Sequence, residues 1–112
     1  MIREDLDKDS VFATLDIFPD GAVEMGARPV KGKEVWTKVV MGPELPGVRL
    51  KLVRKGNLVE RSFACGGSDW DMLDTVEYED LPADVYAGLF STSHDNETLA
   101  TAEFRDIKIE SN

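Results

Sequence analysis

Three observations predict an all-β fold of antiparallel strands, a sandwich or a barrel. Apolar and polar residues alternate with a period of two along much of the chain. Clusters of Gly, Pro, Asn and Asp interrupt that alternation about every ten residues, the spacing of short strands joined by tight turns. No window keeps apolar residues at i, i+3, i+4 and i+7 for three turns, as an amphipathic helix requires.

The first alternating run places Val11, Ala13, Leu15 and Ile17 on one parity and Phe12, Thr14, Asp16 and Phe18 on the other, and Pro19-Asp20-Gly21 turns it. Val23, Met25 and Ala27 alternate against Glu24, Gly26 and Arg28, and Lys31-Gly32-Lys33 makes the next turn, so the two runs read as an antiparallel pair. Glu34 to Val40, rich in Val and Thr and carrying Trp36, is a third strand, followed by a loop at Gly42-Pro43 and Pro46-Gly47. Val48 to Arg54 puts Val48, Leu50 and Leu52 on one face. Lys55-Gly56-Asn57 turns it into Leu58 to Ala64, the clearest hairpin of the chain. Gly66-Gly67-Ser68-Asp69 leads into a strand over Trp70 to Tyr78, and Leu81-Pro82-Ala83-Asp84 into an apolar run over Val85 to Phe90. A last strand is expected over Leu99 to Ile109, with a bulge near Arg105-Asp106 bringing Ala102, Phe104, Ile107 and Ile109 to the core face. Residues 1–112 carry no linker, repeat or low-complexity segment and read as one β-sandwich domain.

Composition narrows the function classes. The 112 residues are 42% hydrophobic and 31% charged, a globular composition able to build a core without staples. Thirteen Lys and Arg stand against 22 Asp and Glu, a formal charge of −9. That balance argues against nucleic acid, which is bound by displacing counterions with cations, and against anionic membrane surfaces. No apolar run approaches the roughly 20 residues that span a bilayer. The opening MIREDLDKDS has no apolar stretch of the secretory kind. A complete gene product of this sequence is expected in the cytoplasm. The single cysteine, Cys65, makes neither an intrachain disulfide nor a zinc framework, and a buried or inert thiol is the expectation.

From VRLKLVRKGN onward an ordered series of motifs stands out: Arg54-x-Gly56-Asn57, a Gly-rich turn ending at Trp70, Tyr86-x-Gly88-Leu89, Thr92-Ser93-His94, and Ala102-x-Phe104. Met1-x-Arg3-Glu4 and the strand from Gly21 to Arg28 precede them. The series resembles the concanavalin A-like jelly-roll domains, in particular a poorly characterised bacterial and archaeal group named for regulation of enolase. The resemblance implies a jelly-roll β-sandwich and a non-catalytic module that binds carbohydrate or descends from modules that do. The turn before Trp70 departs from the group's Asp-Gly order. Domains of the group also begin well before their Met-x-Arg-Glu strand, so the resemblance implies missing N-terminal strands, supplied by homo-oligomerisation or by a longer gene product.

Candidate residues follow from chemistry. Trp36 and Trp70 have aromatic faces suited to the apolar face of a pyranose, although tryptophans in a sandwich of this size more often fill the core. Arg3, Arg28 and Arg54 sit on otherwise apolar strands and are expected on one sheet face, where their planar forks suit carboxylates or hydroxyl pairs. The competing reading is an ion-pair ladder with Glu4, Glu24 or Glu60. The ligand-binding set is therefore Arg28, Trp36, Arg54 and Trp70. Asp95, Asn96 and Glu97, beside His94, offer oxygen donors for calcium, against a plainer reading as turn chemistry. No catalytic residue is assigned: Glu77 and Glu79 alternate onto one solvent face rather than flanking a bond, and no other cofactor is implied. The function expected is carbohydrate binding. The alternative is a structural or protein-interaction role through oligomerisation, and hydrolase or lyase chemistry ranks last.

Overall fold

A computed structural model describes residues 1–41, 48–65, 69–91, 102–104 and 107–110. Among them the regular structure is all β, in two antiparallel sheets. The strands are β1 (Ile2–Arg3), β2 (Phe12–Ile17), β3 (Ala22–Arg28), β4 (Trp36–Met41), β5 (Val48–Lys55), β6 (Leu58–Cys65), β7 (Asp71–Glu77) and β8 (Tyr86–Ala87). One sheet runs β4-β3-β2-β1-β8, the other β5-β6-β7.

The alternation read in the sequence sets which residues face inward. Ala13 pairs with Ala27, Leu15 with Met25 and Ile17 with Val23, so one face of β2 and β3 is wholly apolar. It packs on the second sheet in two clusters. Val11, Ala13 and Ala27 meet Val59, Val76, Tyr78 and Leu81 in one, and Leu15, Val23 and Met25 meet Leu52 and Leu73 in the other. A bulge is responsible for part of this fit. Arg61 pairs with Asp74 but Ser62 with Met72, so Leu73 is the extra residue on β7. Leu73 packs in the core while its neighbour Asp74 bonds the fully buried Arg61, so two consecutive side chains reach the interior.

Turns close the ladder where the sequence indicates. Gly56 lies at φ 62° in the two-residue loop between Lys55 and Leu58, the conformation that primed hairpin turns require. Asn57 then works twice, its carbonyl accepting from the Tyr78 amide (2.7 Å) and its Oδ1 from the Leu81 amide (3.1 Å). Buried Tyr78 donates its hydroxyl to the Phe12 carbonyl at 2.9 Å, a bond between the sheets.

Burial pushes the Tyr78 phenol up to about 12, because the phenolate would lose its water. The folded value lies above the unfolded value near 10, so this group's contribution is intact below about pH 10 and is lost as pH rises toward 12. Tyr78→Phe should therefore cost about 1 kcal/mol near neutrality, for one hydrogen bond. It should also flatten the fall in stability between about pH 10 and 12, measured by urea unfolding of both proteins. An unchanged slope would show that the Tyr78 phenol titrates alike in the folded and unfolded chains, so that burial does not shift it.

Two expectations are corrected. The run Val85 to Phe90 pairs over Tyr86–Ala87 alone, against β1. Of the strand expected over Leu99 to Ile109, the described residues 102–104 and 107–110 form no strand and are exposed, with Phe104, Ile107 and Ile109 at 45%, 56% and 67%. Alternation records suitability for a half-buried surface, and no edge is engaged with this segment to use it.

Candidate functional site

Arg28 and Arg54 are held by their own chain. Arg28, at the end of β3, donates to the carbonyls of Lys33 (3.1 Å), Lys8 (2.7 Å) and Ser10 (3.2 Å) and lies 5.5 Å from the centre of the Phe12 ring. Arg3 flanks Phe12 from the other side in the pairing register and donates to the carbonyls of Asp5 and Asp7, both at 2.6 Å, and to Ser10 Oγ. Together they pin the acidic segment between β1 and β2 to the outer face of the larger sheet. Arg54 belongs to the other sheet. Its guanidinium takes the carbonyls of Gly56 (2.8 Å), Leu81 (2.7 Å), Ala83 (3.2 Å) and Pro82, fixing the loop after β7. The expectation of one arginine face is thus corrected: the register separates Arg54 from Arg3 and Arg28. Backbone carbonyls, rather than the glutamates of the expected ladder, take these forks.

Trp36 stands at the first position of β4, an edge strand. Its pairing with Ala27 gives it the inward parity, yet 38% of it is exposed, as is most of this edge strand. The ring lies 5.2 Å from the Arg61 guanidinium. Arg61 is fully buried. Its Nε and Nη2 grip both oxygens of Asp74 at 2.7 Å, and Nη1 reaches across the sandwich to the carbonyls of Thr14 (2.9 Å) and Gly26 (2.7 Å). Trp36 therefore forms the outer wall of a buried charge cluster.

Trp70 has different surroundings. Pairing ends at Phe63 with Asp71, so Trp70, one residue earlier, stands opposite Ala64. Ala64 pairs with Arg49 and Ser62 with Lys51, placing all four on the face of the smaller sheet turned away from the core. Ala64 and Ser62 are small and nearly inaccessible, at 1% and 5%. The indole spans this low ground to contact both cations, its ring centre 4.6 Å from the Arg49 guanidinium and 4.4 Å from Lys51 Nζ, while 37% of the residue remains exposed. Both cations lie over the ring, and the remaining exposed part of the indole is the aromatic surface on offer to a ligand.

The calcium candidates Asp95, Asn96 and Glu97 lie outside the described residues. Among the described residues no group of three His, Cys, Asp or Glu side chains is placed to hold a metal. Cys65 is exposed at the end of β6, so of the buried or inert thiol expected from sequence the buried alternative is corrected: it is the last residue of the strand, opposite Val48. Two surface hollows flank the turn after β3, one lined by Pro29, Val30, Gly32, Lys33 and Glu34, and neither includes a tryptophan. No helix among the described residues is long and apolar enough to cross a membrane.

Sequence reasoning missed Arg61, Asp74, Arg49 and Lys51. Arg61 left a signal, since it interrupts the apolar parity of Val59 and Phe63 on β6. Arg49 and Lys51 read as an ordinary solvated face, because only the register places Trp70 beside them. No protein family, curated protein or solved structure matches the chain.

Proposed function

We propose that this chain is a non-catalytic carbohydrate-binding module of jelly-roll type, with Trp70 as its stacking platform. The observation that carries the reading is the Trp70 indole, partly exposed on an outward sheet face with Arg49 and Lys51 over its ring. An aromatic plane takes the apolar face of a sugar ring, and donors at its rim take hydroxyls. Arg28 and Arg54 contribute by shaping loops, and Trp36 covers the Arg61 cluster. In a glycan array, wild type should bind and Trp70→Ala should not, with both proteins shown to be folded by circular dichroism. Retained binding in Trp70→Ala, or silence of the wild type, would sink the reading.

A second reading is favoured by β4. Among the described residues no strand pairs with its outer edge, and Val39 and Met41 on its outer face are 53% and 76% exposed. Such an edge is a template for pairing with a second copy of the chain. The reading predicts a mass that doubles with concentration in sedimentation and reverts to monomer in Val39→Lys. A monomer at all concentrations would exclude it.

A further inference from the structure

We infer that Lys38 gates β4, setting how tightly and in which register a second copy of the chain adds to that strand. This rests on the reading of β4 as a pairing edge and specifies its control.

The first support is the exposure of the strand itself. Five of the six residues of β4 are exposed, and among the described residues only β3 pairs with it. Apolar side chains lie open on both faces. Trp36, 38% exposed, has the inward parity, while Val39 and Met41, 53% and 76% exposed, have the outward one. An apolar edge of this kind collects partner strands unless a charge interrupts it.

Lys38 supplies that interruption. It is the one charge on β4, and its pairing with the fully buried Met25 gives it the parity of the core. Among the described residues no carboxylate pairs with it. A lysine at the core parity of an edge strand costs the lone chain little, because its ammonium reaches water past the rim, yet it penalises a strand laid beside it.

Geometry turns the penalty into a choice of register. Two copies related by a two-fold axis set β4 antiparallel to β4. Their core faces stay on one side only when residues of like parity stand opposite each other. The two such registers with the longest overlap are centred on Lys38 and on Val39. Centring on Lys38 sets the two lysines directly opposite, with Cβ atoms roughly 5 Å apart. Centring on Val39 faces Val39 with its own copy and Thr37 with Met41, which joins the exposed outer side chains. It leaves the lysines on a diagonal of roughly 7–8 Å, within the roughly 8 Å over which charges act at physiological salt. Charge therefore rejects the first register and weakens the second.

The test is sedimentation velocity of the whole chain over a range of concentrations. It compares the wild type, Lys38→Met, Lys38→Arg, Lys55→Met and the double variant Lys38→Met, Val39→Lys, each shown to be folded by circular dichroism. Lys38→Met should dimerise about tenfold or more tightly than the wild type, as loss of a like-charge contact implies. Lys38→Arg keeps the charge and should match the wild type. Lys55→Met removes the same charge from the other sheet and should match it too. The double variant should be monomeric. A wild type that stays monomeric while Lys38→Met dimerises would exclude the natural dimer and uphold the gate. Equal dimer affinity in the wild type and Lys38→Met would overturn the gate and leave the β4 dimer standing. Growth of Lys38→Met beyond the dimer would overturn the gate as well, since a two-fold pairing leaves no β4 to extend. Dimers that persist in the double variant, or monomers throughout with Lys38→Met included, would overturn both.

Discussion

Replacing Arg61 by methionine is expected to lower the unfolding free energy by about 3–5 kcal/mol, a large part of what a domain of this size possesses. The side chain is completely buried and holds both oxygens of Asp74 and two carbonyls of the facing sheet. Truncation leaves a carboxylate that is only 16% exposed without its counter-charge, and leaves the Thr14 and Gly26 carbonyls without this donor. Arg61→Lys should fall between the two, since an ammonium keeps the charge but cannot fork onto a carboxylate while reaching across the sandwich. The double variant Arg61→Met, Asp74→Leu should recover much of the loss, because the cost lies in the orphaned partner more than in the absent pair. Urea unfolding followed by tryptophan fluorescence measures all three. Trp36, 5.2 Å from the guanidinium, should also report the change in its emission. A single variant costing less than about 1 kcal/mol would mean that water already solvates the cluster.

How much of this was legible beforehand depends on what each residue's signal reports. The alternation of Ala13, Leu15 and Ile17 against Val23, Met25 and Ala27 gave the first hairpin and its core face, because burial on one side of a sheet is written into a period of two. The Gly56-Asn57 turn was equally plain, since a positive φ selects its own residue types. What pairs with what was not. Arg3, Arg28 and Arg54 look alike on their strands, and only the register shows that two pin one loop and the third pins another. The bulge at Leu73 is likewise invisible in composition, yet it brings Asp74 to Arg61. Trp70 was a visible candidate for the wrong neighbours: its value comes from small Ala64 and from cations some 20 residues upstream, which join it only when three strands align. The residues at 102–104 and 107–110 show the converse, a strand-like pattern that pairs with none of the described strands.

Gly26→Ala is expected to cost about 2–4 kcal/mol, although alanine suits a strand better than glycine does. A Cβ at this position would lie 2.6 Å from Thr14 Oγ1, closer than two such atoms approach, while its next neighbours, Phe12 Cε2 and Thr37 Cγ2, stand at an ordinary 3.8 Å. The obstacle is therefore one hydroxyl. Thr14 cannot easily yield, since a β-branched side chain is stiff at χ1 and its Oγ1 accepts the Gly26 amide at 3.1 Å. Rotating it away would relieve the clash and strand a buried N–H. In a Thr14→Ala background that hydroxyl is already gone, so adding Gly26→Ala should cost at least about 1 kcal/mol less than it does in the wild type. Thermal or urea unfolding of the four proteins of the cycle gives the coupling directly. Equal costs in both backgrounds would place the strain in the backbone rather than at Thr14. The carbonyls of both residues accept from Arg61, so a displaced β3 should also reach the buried guanidinium. The clash would then weaken the Arg61 contact that joins the two sheets.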